Sequence, residues 1–303
     1  MNYRLGMRAI FTSILLIYSL SVVFGQESRM ELNQGWEFRQ VGTNDWYKAQ
    51  VPGCVHSDLY ENGSIEDPMS EDGEENCKWI EDFDWEYRCR INRGQLPEST
   101  EYTIRFEGLD TYATIYFNDK LIAQTSNMFR WYEFSITDLI EDENELKVVL
   151  ESPVRKGKEK RDSLGYDLPC PNDVGKTNIS PFVRKAPYQF GWDWGPRLLT
   201  SGIWQQASII GWDQVRLRYL RLEQNEVSEN RAEYTAHFSV DASNNVETEF
   251  VVSVPGNTKQ KLTVPLTKGS FDIEVPFSII DPERWWPNGV GEHNIYRVKG
   301  SVT

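Results

Sequence analysis

A chain of 303 residues with 39% hydrophobic side chains has material for two domains, each with its own core. Its 46 Asp and Glu outnumber 32 Lys and Arg, for a formal net charge of −14. That sign argues against nucleic acid as a partner, because phosphate recognition needs a basic surface, and it suits a neutral ligand or an acidic compartment.

The first element is a leader. Arg4 and Arg8 make a basic start, Ile10 to Phe24 is an apolar run, and Val23-Phe24-Gly25 offers small residues for cleavage before Gln26. Residues 1–25 are therefore expected to be a signal peptide that sends the chain into the secretory pathway. An uncleaved anchor is the competing reading, but the run falls short of the roughly twenty apolar residues that a membrane helix needs. No other segment is apolar enough to cross a bilayer, so no membrane partner is expected. On the secretory route, Asn62-Gly63-Ser64 and Asn178-Ile179-Ser180 become glycosylation acceptors at Asn62 and Asn178, the second weakened by Pro181.

After the leader, period-two alternation dominates. Trp85, Tyr87, Cys89 and Ile91 form one strand face; Tyr102, Ile104 and Phe106 form another, and Leu146, Val148 and Leu150 a third. Ile115 to Ile122 reads as a hairpin turning through Asn118-Asp119-Lys120. Helical signals are short: one candidate surrounds Ser57-Asp58-Leu59-Tyr60, where Asp or Ser could cap. The basic run Arg155 to Arg161 and the acidic run Glu71 to Glu75 read as solvated loops, the latter without the alternating oxygen ligands of a calcium site. The fold class is all-β, with a jelly-roll sandwich over residues 26–213. A second sandwich over 214–303 starts from Ala232, Tyr234, Ala236, Phe238 and Val240 and continues through Phe250–Val254, Lys261–Leu266 and Phe271–Val275. It is expected to stop about one strand before closure.

Cys54, Cys77, Cys89 and Cys170 allow three disulfide pairings or free thiols, and the spacing does not choose between them. The sequence has no Cys-x-x-Cys or His-x-x-x-His pair, and the three histidines are far apart. Neither a metal site nor a cofactor is expected.

The segment richest in chemistry is Arg184-Lys185-Ala186-Pro187-Tyr188-Gln189-Phe190-Gly191-Trp192-Asp193-Trp194-Gly195-Pro196-Arg197. It places one carboxylate between two indoles in a frame of Gly and Pro. An ionised Asp accepts hydrogen bonds from neighbouring sugar hydroxyls, while a Trp covers the apolar C–H face of a pyranose. Gly191, Gly195 and Pro196 would hold these groups on a tight loop. The plainer reading is a corner in which the indoles only pack and Asp193 serves the turn.

Other segments set the context: Leu32-Asn33-Gln34-Gly35-Trp36-Glu37-Phe38, Val51-Pro52-Gly53-Cys54-Val55-His56, Ile65-Glu66-Asp67-Pro68, Trp79-Ile80, Asp84-Trp85-Glu86-Tyr87-Arg88, Phe106-Glu107-Gly108-Leu109-Asp110 and Arg284-Trp285-Trp286-Pro287-Asn288-Gly289. In this order, and with Phe-Gly-Trp-Asp-Trp-Gly-Pro, they resemble the amino-terminal part of the lysosomal-type β-mannosidases of glycoside hydrolase family 2, from about Met30 to Thr303. The resemblance implies a galactose-binding-like jelly roll followed by an immunoglobulin-like sandwich. It implies hydrolysis of non-reducing terminal β-mannose in N-glycan-derived oligosaccharides, and a lysosomal or secreted location. It also implies a retaining mechanism with two glutamates about 5 to 5.5 Å apart. In the family these stand on a (β/α)8 barrel that this chain lacks, so no catalytic residue is carried over and the chain alone is expected to be inactive.

What the resemblance does carry over is the accessory loop. Asp193 is expected to bind the O4 and O6 hydroxyls of the terminal mannose and Trp192 to wall the pocket, while Trp194 contacts sugar or braces the loop. Arg184 and Lys185 are expected to pair with barrel carboxylates, with Asp193, or within the loop. Trp285 and Trp286 are expected to pack on the barrel. His56 is expected to be a hydrogen-bonded loop residue and Asp110 a turn residue. Met69-Ser70-Glu71-Asp72-Gly73-Glu74-Glu75 departs from the more aromatic, Asn-containing loop of the family, which leaves its binding role in doubt. Two other readings compete: a standalone secreted carbohydrate-binding module, and a purely structural interaction fragment.

Overall fold

The structure, a computed structural model, describes residues 27–171, 173–175 and 177–303. The expected signal peptide lies outside the described residues.

Alternating side chains build the first sandwich. Strands β1 (Ser28–Glu31), β2 (Trp36–Gln40), β3 (Tyr47–Lys48), β4 (Trp85–Asn92), β5 (Glu101–Phe106), β6 (Tyr112–Phe117), β7 (Lys120–Ser126), β8 (Tyr132–Ser135), β9 (Glu143–Glu151) and β10 (Ala207–Trp212) form two antiparallel sheets, ordered β3-β2-β4-β9-β6-β7 and β1-β10-β5-β8. The inward parity is the expected one: Trp85, Tyr87, Cys89 and Ile91 on β4 and Leu146, Val148 and Leu150 on β9 are buried, facing Ile104, Phe106 and Ile209 in one core. Burying side chains of this size contributes roughly 1.5 to 3 kcal/mol each. The β6–β7 hairpin turns at Asn118 (φ 48°) and Asp119 (φ 57°), the left-handed pair of a type I′ turn that Asn and Asp tolerate best.

Strands β11 (Val215–Val227), β12 (Arg231–Ala242), β13 (Val246–Val254), β14 (Thr258–Leu266), β15 (Gly269–Ile280) and β16 (Lys299–Val302) form the second sandwich, from sheets β11-β12-β15 and β14-β13-β16. Ala232, Ala236, Phe238 and Val240 of β12 meet Phe250, Val252 and Val254 of β13 in its core. At the seam with the first sandwich, the buried Arg216 guanidinium of β11 donates to Glu133 of β8 (2.6 Å) and to Asp241 of β12 (3.0 Å). Among the described residues there is no (β/α)8 barrel, and no helix is long and apolar enough to cross a membrane.

Several local expectations are corrected. The basic run is not a loop but part of helix α3 (Pro153–Leu164). Ser152 caps it by accepting from the Arg155 N–H (3.1 Å), Pro153 sits in its first turn, and left-handed Gly165 ends it. Val154 and Gly157 form its buried face; a side chain on Gly157 would strike Ile179 and Val183. The acidic run enters a short helix, α2 (Gly73–Cys77), because buried Gly73 lets the backbone close against Pro68. The helix expected near Ser57 is α1 (Val55–Glu61), begun by Cys54, whose N–H is accepted by the Ser57 hydroxyl (3.2 Å). Asp58 is not its cap: it is buried, accepting from the Tyr87 hydroxyl (2.7 Å) and the Gln50 N–H (2.8 Å). All four cysteines are free thiols. Burial pushes the Cys89 thiol up to about 11.

Candidate functional site

The Trp-Asp-Trp segment leaves the first sandwich between α3 and β10 and is held on both sides of its tip. Phe190 before the turn and Leu199 after it are buried with Tyr112, Val154, Ile179 and Val183 in a small core of their own. Between them Gly191 adopts φ 140°, ψ 150°, a conformation essentially reserved for glycine. The chain then reverses over Trp192-Asp193-Trp194-Gly195, with the Gly195 N–H donating to the Trp192 carbonyl (3.4 Å).

That turn displays its side chains. Trp192 is 52% and Trp194 87% exposed, their rings 6.1 Å apart and edge-on, and Asp193 is exposed between them. Only Trp192 of the three enters a cleft, of about 540 Å³, whose wall it shares with Gly195, Pro196 and Leu198. Met69 stands in the same lining, with Tyr188, Gln189 and Thr200. The divergent loop after Pro68 thus lines the cleft through a flexible thioether. Asp193 and Trp194 stand at the rim. A larger cavity of about 620 Å³ lies by the β6–β7 turn, but its lining is acidic and lacks aromatic side chains, and its Asn118 and Asn144 are committed to each other. It has nothing to cover a sugar face.

The root of the loop is a buried ion pair that the sequence does not announce. Lys185 and Asp110 are 0% and 1% exposed and paired, so Lys185 serves a bracing ion pair and not Asp193, while Asp110 stands, as expected, in the turn between β5 and β6. Lys185 also donates to the Thr200 carbonyl (2.6 Å), the Thr200 hydroxyl reaches the same Asp110 oxygen (2.7 Å), and Thr111 donates to the other (2.5 Å). Burial pulls the Lys185 ammonium below the ordinary lysine range, and the Asp110 charge opposes that pull. The network joins three segments: the β5–β6 connection, the segment entering the turn and the segment leaving it. Gly202 is part of the joint, pairing with Asp110 in a short bridge and pressed so closely on Gly53 and Cys54 that no side chain fits there. Nearer the turn on the leaving segment, buried Arg197 donates to Glu81. Lys185 follows Arg184 directly, and nothing in that order tells which of the two cations is buried.

His56 is also corrected. It lies in helix α1, buried, and its Nδ1 has no partner. Burial, with the Lys185 charge nearby, pushes its pKa down to about 4, so it is neutral at neutral pH. Asn62 is exposed at the end of α1, but its side-chain amide already donates to the Lys48 and Asp58 carbonyls (2.8 and 2.6 Å). Asn178 is exposed with φ 53°. Trp285 and Trp286 are 57% and 44% exposed. No cluster of potential metal ligands occurs among the described residues.

Comparison with known proteins agrees with this architecture. The chain is 29% identical to a probable beta-mannosidase of Caenorhabditis elegans over 95% of its own length and 34% of the relative's. It is 31% identical to the beta-mannosidase of Capra hircus, over 88% of this chain and 32% of the relative. Among solved structures, the beta-D-mannosidase of Dictyoglomus thermophilum superposes with a TM-score of 0.79 at 36% identity, over 91% of this chain and 34% of that one. A beta-glucuronidase of Bacteroides uniformis shares the fold at 16% identity, with a TM-score of 0.60 over 91% of this chain and 30% of its own. The chain spans about a third of the length of the relatives it matches. Residues 36–205 match the glycosyl hydrolase 2 galactose-binding domain-like family, and the chain belongs to that family.

Proposed function

We propose that this chain is the substrate-gripping front part of a retaining β-mannosidase acting on non-reducing terminal β-mannose of N-glycan-derived oligosaccharides. The observation that carries the reading is the exposed Trp192-Asp193-Trp194 turn above an apolar cleft, held by a dry ion pair at its root. A carboxylate open to solvent between two indoles is free to exchange water for sugar hydroxyls, and the fixed root limits the ordering entropy of binding. In this reading Asp193 takes two hydroxyls of the terminal mannose, Trp192 covers one ring face and Trp194 closes the rim.

The retaining reaction needs two carboxyls about 5 to 5.5 Å apart, one protonating the leaving group and one attacking the anomeric carbon. The resemblance places neither on this chain. The 303 residues are therefore proposed to bind sugar weakly and hydrolyse nothing. The jelly roll is assigned to residues 26–213 and the immunoglobulin-like sandwich to 214–303. Trp285 and Trp286 are proposed to pack on a catalytic barrel, with a secretory, lysosomal route and glycans on Asn62 and Asn178. Any glycan on Asn62 must displace one of its amide hydrogen bonds.

The test is to incubate the purified chain with an aryl β-D-mannoside and to titrate it with methyl β-D-mannoside by NMR. No hydrolysis is expected, with millimolar binding that shifts the Trp192 and Trp194 indole signals and is lost in Asp193→Ala. Hydrolysis by the chain refutes its inactivity, and binding indifferent to Asp193→Ala refutes the role of the turn.

A further inference from the structure

We infer that a second cleft, of about 340 Å³ and contiguous with the first, is a saccharide site for the ring linked to the sugar gripped at Trp192. This deepens the reading just given and rests on it. The two clefts share Tyr188, Gln189 and Thr200 in their linings, so a ligand leaving one enters the other.

The lining fits a neutral pyranose. Phe129 and Tyr188, each 62% exposed, offer aromatic faces at the mouth. Met128 and Trp204 add apolar surface, because the Trp204 indole N–H is committed to the Met128 carbonyl (3.1 Å) and leaves only carbon to the cleft. Asp110 forms part of the lining without presenting a free charge: one carboxylate oxygen is taken by Lys185 and Thr200, the other by Thr111. A charged sugar or a phosphate would find no free counter-charge there, whereas a neutral ring needs none, only hydrogen-bond partners for the hydroxyls it buries.

Gln189 supplies the polar contact at the junction. Its side-chain oxygen faces the Thr200 hydroxyl (3.2 Å), and its amide nitrogen has no partner among the described residues. Half-buried between the clefts, that nitrogen can donate to a bridging or ring oxygen of a disaccharide. The volume is at the low end of ligand pockets, which suits one ring.

The purified 303-residue chain is titrated with methyl β-D-mannoside and with β-1,4-mannobiose, following the indole signals of Trp192 and Trp204. The disaccharide is expected to bind about fivefold tighter or more, the yield of one added hydrogen bond or ring contact, and to shift Trp204 as well as Trp192. In Phe129→Ala, a change at an exposed site that leaves the fold intact, the affinity ratio of disaccharide to monosaccharide falls to about one. No gain for the disaccharide, including equal absence of binding, overturns the second site. So does a gain with Trp204 unmoved and a ratio unaltered in Phe129→Ala. Failure of the underlying reading has its own signature: Asp193→Ala then leaves the monosaccharide shifts at Trp192 unchanged.

Discussion

Trp194 at the tip of the Trp-Asp-Trp loop is 87% exposed, whereas Lys185 at the root of the same loop has no exposed side-chain surface and touches Asp110, Thr200 and little else that is polar. The tip exposes groups that are free to meet a solute. The root is built from groups that must never meet one, because a pair shielded from water holds its geometry and loses heavily if either partner goes. Their division of labour gives the loop a free carboxylate on a rigid stem, the condition for gripping a flexible ligand without first ordering the protein.

The largest expected effect is at the root. Lys185→Met strands a buried carboxylate and should cost about 3 to 5 kcal/mol in denaturant unfolding. Replacing both partners, with Lys185→Met and Asp110→Leu together, should recover most of that loss, since an apolar pair leaves no buried charge. If the single variant unfolds like the parent, the contrast between root and tip is wrong.

Next come two opposed titrations in helix α1, beside the root. His56 is held neutral, its pKa down to about 4 through burial and the Lys185 charge, so the unfolded chain binds the extra proton below about pH 6.5 and acid removes stability through this group. Asp58 is pushed up to about 6 by burial, so the folded chain binds the extra proton between about pH 4 and 6, and acid adds stability through it. The two slopes oppose each other across nearly one window, and the parent should be almost flat there. Asp58→Asn should make stability fall on acidification, and His56→Gln should make it rise, each by up to about 3 kcal/mol across the window. Urea unfolding from pH 4 to 7 reads both signs, and a steep parent profile would contradict the pairing.

At the tip, the effects move from stability to binding. Asp193→Ala should weaken mannoside binding about tenfold or more by NMR titration, with unfolding free energy within about 0.5 kcal/mol of the parent, as for exposed positions generally. Trp194→Ala should have the smallest effect, about threefold on affinity and nothing measurable on stability, since its ring stands at the rim and buries little. A large loss of stability in Trp194→Ala would mean that the indole braces the loop.

Much of the fold was legible because a half-buried strand writes its own pattern. Trp85 to Ile91, Leu146 to Leu150 and Ala232 to Val240 alternate in sequence and lie as the alternation implies. The basic run of α3 was misleading for a related reason: its exposed face is nearly all charged, and its buried face is reduced to Val154 and a glycine, too little to show helical periodicity. Of the candidate site, Trp192, Asp193 and Trp194 stood out because two indoles around an acid in a Gly-Pro frame is an unusual sequence. The joining of Asp110 with Lys185 and Thr200 did not, since these lie 75 and 90 residues from it and meet it only when the sheets are assembled.

The sequence by itself determined the all-β class, the strand faces, the hairpin through Asn118-Asp119 and the residue types at the loop tip, because each depends on neighbours within a few residues. Only the tertiary structure decided that Lys185 belongs to Asp110, that His56 is dry and neutral, and that Met69, Gln189 and Thr200 stand in one lining with Trp192. Such contacts are settled by which sheets stack and which segments cross, and in the linear order nothing distinguishes a lysine destined for a buried partner from one destined for water.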